Sequence, residues 1–147
     1  MIFPRYPVYV PSKGRHDVCH TAKFLVKDQV PFRLVVEPQE EDAYAALYGR
    51  DCLLTLPWSG DDVARRAFCA ERDIENGGLI AVRNWIKEHA TAAGAARHWQ
   101  IDDNIMGVWR RYNGFKIRCA AGIAMERLGL KIEPETVGQF TYAGRLV

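Results

Sequence analysis

Residues 8–15 read Val8-Tyr-Val-Pro-Ser-Lys-Gly-Arg15, and this stretch decides the fold. Val8 to Val10 make a short apolar run that ends at Pro11, and a polar turn containing Gly14 follows. Beyond it, Val18, Ala22 and Leu25 recur at spacings of four and three, which is one face of a helix over Asp17–Asp28. Strand, turn and helix in that order open a βαβ unit.

The alternation continues outward. Phe32–Val36 is apolar and β-branched between Pro31 and Pro38, the mark of a second strand. Glu40–Tyr48 reads as a helix closed by Gly49. Leu53–Leu56 is a third strand stopped by Pro57, and His98–Ile101 is a fourth. Between them lie a short helix over Val63–Arg72 and a longer one over Leu79–Ala93. Leu79, Val82, Ile86 and Ala90 mark the buried face of the longer helix, and Gly94 ends it. On that helix Arg83 falls at the edge of the apolar face and Asn84 points away from it. After Asn104 the pattern changes to a hairpin over Trp109–Arg118, turning at Asn113-Gly114. A helix over Ala120–Leu128 and a tail without an obvious element complete the chain. The expectation is an α/β three-layer, Rossmann-like sandwich with a mainly parallel sheet, folded as one domain over 1–147.

Composition excludes several classes and selects none. With 147 residues, 48% hydrophobic and 26% charged, the chain is long enough for an ordinary core without staples. A net charge of +2 argues neither for nor against nucleic acid, so the case rests on where charges sit. No run approaches a membrane span, and the N-terminus lacks the pattern of a signal peptide. Cys19, Cys52, Cys69 and Cys119 form no C-x-x-C, so a reduced, cytoplasmic protein without a membrane partner is expected.

Ligands of parallel sheets bind at the carboxyl ends of the strands, so the residues there are the candidates. Pro11, Ser12, Lys13 and Arg15 follow the first strand, where cationic donors and the amides of the next helix suit phosphate. Neither a Walker A loop nor a G-x-G-x-x-G fingerprint is present. Glu37 ends the second strand, a position from which a carboxylate reaches a ribose or base; a surface charge is the plainer alternative. Gln100-Ile-Asp-Asp-Asn-Ile105 delivers Asp102, Asp103 and Asn104 to the end of the fourth strand. Adjacent anions favour a cation, and oxygen donors suit Mg²⁺ or Mn²⁺; capping aspartates in a turn are the alternative. His16 and His20 lack the further ligands zinc requires. In the hairpin, Arg110, Arg111, Lys116 and Arg118 interleave with aromatic residues and no acidic ones, making candidate contacts to DNA or merely a solvated face.

Five blocks in order carry a resemblance to a known family: Val8–Arg15, Leu34–Gln39, Leu54–Pro57, Val82–Ile86 and His98–Ile105. Together they resemble the nucleotide-sugar half of a GT-A glycosyltransferase, and more narrowly the TET/JBP-associated glycosyltransferases of bacteriophages. The resemblance implies transfer of a sugar from a nucleotide donor, such as a UDP-sugar, to a modified pyrimidine in DNA such as 5-hydroxymethylcytosine. It implies that Pro11, Ser12, Lys13, Arg15, Glu37, Arg83 and Asn84 face the nucleotide. It also puts Asp102, Asp103 and Asn104 in place of the DxD-type metal motif, holding Mn²⁺ or Mg²⁺. In this frame 1–104 is the donor-binding half and 105–147 a shortened acceptor half, and no residue stands out as a catalytic base. A nucleotide-sugar-binding domain without turnover, or a nucleotidyltransferase-like enzyme, are the alternatives.

Overall fold

The computed structural model describes residues 3–75 and 77–131. Its centre is a four-stranded sheet, all parallel, in the order β3-β2-β1-β4. The strands are β1 (Val8–Pro11), β2 (Arg33–Val36), β3 (Leu53–Thr55) and β4 (Trp99–Gln100). Helix α1 (His20–Lys27) links β1 to β2, and α2 (Glu41–Tyr48) links β2 to β3. Helices α3 (Val63–Glu71) and α4 (Gly78–Ala92) precede β4. A separate antiparallel hairpin pairs β5 (Val108–Tyr112) with β6 (Phe115–Cys119), and α5 (Ala121–Lys131) follows.

Strand alternation produces the three layers. Val8, Val10, Leu34 and Val36 point to one side and pack with Ala22, Leu25, Tyr44 and Met125 from α1, α2 and α5. Tyr9 and Val35 point to the other and meet Leu56, Trp58, Cys69, Ala81, Ile86 and Ala90, most of them on or beside α3 and α4. Each large apolar side chain buried this way contributes roughly 1.5–3 kcal/mol, and the two clusters fasten helices to both faces.

Two features of the pattern fall differently from the periodicity. The loop after β1 continues to Cys19, with the Val18 N–H donating to the Arg15 carbonyl (3.1 Å), so α1 starts three residues late. Val18 is therefore exposed, while Ala22 and Leu25 keep their buried places. On α4, Ala81 takes the buried position expected of Leu79, which is 50% exposed at the first turn. The short helix α3 and the Asn113-Gly114 turn are present as read, with φ of 48° and 82° in the turn, the positive values a type I′ hairpin requires. The tail, in which the sequence shows no obvious element, lies outside the described residues.

The chain winds β1 to β2 to β3 along one direction and then crosses back to place β4 on the far side of β1. The direction of winding reverses between β1 and β4. Loops leaving adjacent strands there diverge, and a crevice opens between them.

Asp28, at the end of α1, anchors the root of the hairpin and the start of α5. It accepts from Arg118 (3.0 and 3.2 Å) and from the Ala121 N–H (2.9 Å), tying β6 and the start of α5 to the first helix. Replacing it (Asp28→Ala) leaves both donors without their acceptor. A loss of about 1–2 kcal/mol in stability is expected from urea denaturation, less than for a fully buried pair because Arg118 is partly solvated.

Candidate functional site at the β1/β4 crevice

Ser12 continues the β1 ladder, its N–H donating to the Val35 carbonyl (3.0 Å), which points its hydroxyl across the crevice. That hydroxyl is shared by the Tyr44 hydroxyl (2.7 Å) and by Asp103 Oδ2, to which it donates (2.9 Å). Arg15 reaches the other oxygen of the same carboxylate, Oδ1, at 3.0 Å. The loop after β1 and the loop after β4 are thus joined through one aspartate. Tyr44, fully buried on α2, also accepts from the Arg15 N–H (3.2 Å), so a phenol from below fixes the height of the first loop.

The second loop is held from α1. The Thr21 N–H donates to the Asp103 carbonyl (3.1 Å), its hydroxyl donates to the Asp102 carbonyl, and the Ile105 N–H donates to that hydroxyl (2.9 Å). The Thr21 amide therefore serves the Asp102–Ile105 turn and is not presented to a ligand, contrary to what the strand–turn–helix order suggested. Asp102 is paired with Arg83 of α4 at 2.7 Å, and the Arg83 carbonyl accepts from Gln100 (3.1 Å).

Glu37 lines the crevice at the end of β2, and its carboxylate is engaged by groups of the protein itself. It is 5% exposed and its carboxylate is filled by protein donors: Lys13 Nζ at 2.7 Å, Gln39 Nε2 at 2.5 Å and the Gly60 N–H at 2.9 Å. Burial would push its carboxyl up, but these three hydrogen bonds outweigh it and hold the pKa below the ordinary value. Glu37 lines the crevice as the clasp that draws together the loops after β1, β2 and β3.

Between these loops lies a cavity of about 380 Å³ with two unlike walls. Val35, Leu56, Trp58, Leu79 and Val82 form an apolar side; Lys13, Arg15, Arg65, Asp102, Asp103 and Asn104 form a charged one. Pro11, Ser12 and Gly78 complete the lining that concerns us. Of the residues read as facing the nucleotide, Arg83 stands behind Asp102 and Asn84 bonds its own helix at the Ile80 carbonyl (2.9 Å); neither lines the cavity. Arg65, Tyr44 and Thr21 do not stand out in the sequence, and Trp58 does so only as part of the strand end Pro57-Trp-Ser-Gly60. Trp58 follows a strand-ending proline, and that position is the only signal it offered. Arg65 sits on a helix whose apolar positions are sparse, and its guanidinium lies so close over Gly77 that a Cβ there would meet its Nε at 2.6 Å. The hairpin cations lie outside the cavity, and Arg118 among them is committed to Asp28.

Comparison with protein families matches residues 6–121 to the TET-Associated Glycosyltransferase family. The chain belongs to that family. No curated protein and no solved structure matches it. The match spans every residue of the crevice, which marks this TET-associated glycosyltransferase as an enzyme using a nucleotide-sugar donor and an acceptor, and sets aside the nucleotidyltransferase alternative. No described helix is long and apolar enough to cross a membrane.

Among the described residues, no group of three or more His, Cys, Asp or Glu side chains lies close enough to hold a metal ion. Asp102 and Asp103 offer hard oxygen donors at one end of the charged wall, already balanced in part by Arg83 and Arg15. This set fits a cation that takes its remaining ligands from water and phosphate, which is the habit of Mg²⁺ and Mn²⁺.

Glu37→Gln removes the charge that Lys13 and the Gly60 N–H point at. Thermal denaturation at pH 7 is expected to show a loss of about 1–3 kcal/mol. Because the folded pKa lies below the ordinary 4.5, the wild-type contribution is complete above that pH and disappears as pH falls through the folded value. The variant should therefore lose the corresponding acid-side decline in stability.

Proposed function

We propose that the protein moves a sugar from a UDP-sugar to the hydroxymethyl group of a modified pyrimidine in DNA, with Mn²⁺ or Mg²⁺ held at Asp102 and Asp103. The observation that carries this reading is the pairing of an apolar wall with a charged wall in one crevice at the sheet's switch point. A nucleoside diphosphate has the same division, a flat apolar base joined to a doubly charged diphosphate. The cavity volume suits such a ligand.

In this arrangement the base lies against Trp58, Leu79 and Val82. The indole Nε1 of Trp58 is buried with no partner among the described residues, a donor left for a carbonyl or hydroxyl. Lys13 uses one of its three N–H groups on Glu37 and keeps two for phosphate; Arg15, tied to Asp103 through one nitrogen, keeps further donors. Arg65 adds a third cation on that wall. Arg83 holds Asp102 at a fixed place and supplies charge from outside the cavity.

In the reaction the acceptor hydroxyl oxygen bonds to the sugar's anomeric carbon while the bond from that carbon to the diphosphate breaks. The diphosphate leaves with the electron pair, and the proton of the acceptor hydroxyl passes to water. Asp102 and Asp103 would hold a divalent cation, which when bound would supply positive charge for the departing diphosphate. Lys13 and Arg15 act in the same direction, through preorganised donors that need not reorient as charge develops. The DNA acceptor rests on the family resemblance and on the cationic hairpin that follows Asn104 directly in the chain.

Transfer of labelled hexose from a panel of nucleotide sugars to hydroxymethylated and unmodified oligonucleotides tests this directly. Label is expected in hydroxymethylated DNA alone, lost with chelator and restored by Mn²⁺. Asp103→Asn should lower kcat by about 100-fold or more. Label in neither DNA with any donor would contradict the assignment of acceptor.

A further inference from the structure

The hairpin register separates its side chains onto two faces. Directly opposed residues share a face, so Arg110, Tyr112, Phe115 and Ile117 lie on one side and Trp109, Arg111, Lys116 and Arg118 on the other. The two ends of the hairpin also differ. At the root, Val108 packs on the core, Arg118 binds Asp28, and the Trp109 ring lies against Gly107, where a Cβ would meet it at 3.1 Å. At the tip no described residue covers the side chains. Tyr112 and Phe115 face each other across the turn at 59% and 73% exposure, with the Arg110 guanidinium over the tyrosine ring at 5.7 Å.

Two costs are built into this tip. An aromatic pair is left in water, and Arg111 stands opposite Lys116, a like-charge pair that destabilises the ladder. No acidic residue occurs between Asn104 and Glu126 to relieve it. Two-stranded hairpins are marginal in water even without such costs. Exposed rings on one face of the tip and paired cations on the other mark a binding surface, and a ligand that suits both is anionic and offers flat apolar faces. Nucleic acid has both: phosphates for Arg111 and Lys116, base faces for Tyr112 and Phe115.

Position adds to this. Val108 follows Asp103 by five residues, so the root lies within about 18 Å of that carboxylate residue along the chain. A ribbon of two strands is narrow enough to enter the major groove of duplex DNA. Aromatic or apolar wedges inserted between base steps unstack them, and enzymes that act on a base commonly take it out of the stack first.

We infer that the Tyr112–Phe115 tip is a base-unstacking wedge, which opens the duplex beside the target pyrimidine while Arg111 and Lys116 hold the backbone. This rests on the DNA-acceptor reading above and specifies how that acceptor is presented: as a base drawn out of a duplex.

The test uses the full chain and duplex DNA carrying one 5-hydroxymethylcytosine next to 2-aminopurine, whose emission rises when it is unstacked. Wild type is expected to bind with a steep salt dependence and to raise the emission severalfold. Tyr112→Ala/Phe115→Ala, both exposed positions, should still bind duplex with the same salt slope but lose the rise, and should bind single-stranded DNA about tenfold more weakly. Tyr112→Trp/Phe115→Trp should restore both. Arg111→Gln/Lys116→Gln should reduce the salt slope by about 1.8, two phosphate contacts. An undiminished rise in the alanine variant overturns the inference. So does binding to anionic phosphatidylserine vesicles, or self-association in sedimentation, in place of binding to DNA. Calorimetry with UDP-glucose on the same preparations separates the two readings. Donor binding without DNA binding overturns the wedge and leaves the donor site standing. Tip-dependent unstacking without donor binding supports the wedge and removes the transferase reading.

Discussion

The Asp103 carboxylate is the point on which the site depends. β4 is two residues long and pairs with β1 at only two registers, Val8 with Trp99 and Tyr9 with Gln100. Ladder bonds alone would leave the loop beyond it poorly placed. Asp103 instead takes one hydrogen bond from Ser12 and another from Arg15, so the two loops that border the crevice share one anion. Thr21 fixes the backbone on the far side of that anion, and Tyr44 fixes Ser12. The charged wall is therefore preorganised by side chains from α1, α2 and the loop after β1, at the place where a short strand supplies least.

This arrangement explains why arginines surround the acidic pair. Two adjacent carboxylates beside a diphosphate would repel both it and each other. Arg15 and Arg83 balance them within the protein, one from inside the cavity and one from behind it. Glu37 does the reverse for Lys13, holding a cation at the rim by a carboxylate that Gln39 and the Gly60 N–H also bind. The result is a wall whose charges are fixed in place before any ligand arrives, as expected where a glycosyltransferase must stabilise a departing diphosphate.

The layers were legible in the sequence because strand alternation and prolines mark them locally. Val8–Val10, Leu34–Val36 and Leu53–Thr55 are bounded by residues that admit few alternatives, and Asn113-Gly114 leaves little choice of turn. Side chains that act at a distance were not legible. The Glu37 carboxylate reads as a free ligand until Gly60 and Lys13 are seen to close on it. Tyr44 reads as one more apolar position of a helix, and its hydroxyl acquires meaning only when the loop after β1 brings Ser12 and the Arg15 N–H to it. Asn84 and Arg83 are neighbours in sequence, but 100° of helical rotation sends one to its own backbone and the other to Asp102. Leu79 and Val18 follow the apolar period correctly, and each is left exposed because the helix begins or opens at that point.

The central claim is that the crevice between β1 and β4 binds a nucleotide diphosphate through its charged wall. Calorimetric titration of UDP and UDP-glucose, with Mn²⁺ and with chelator, on wild type and Asp103→Ala tests it most directly. The account predicts binding that strengthens with Mn²⁺ and is lost in the variant while circular dichroism shows the fold retained. Failure of the folded wild type to bind either nucleotide in either condition, or equal binding by Asp103→Ala, would contradict it.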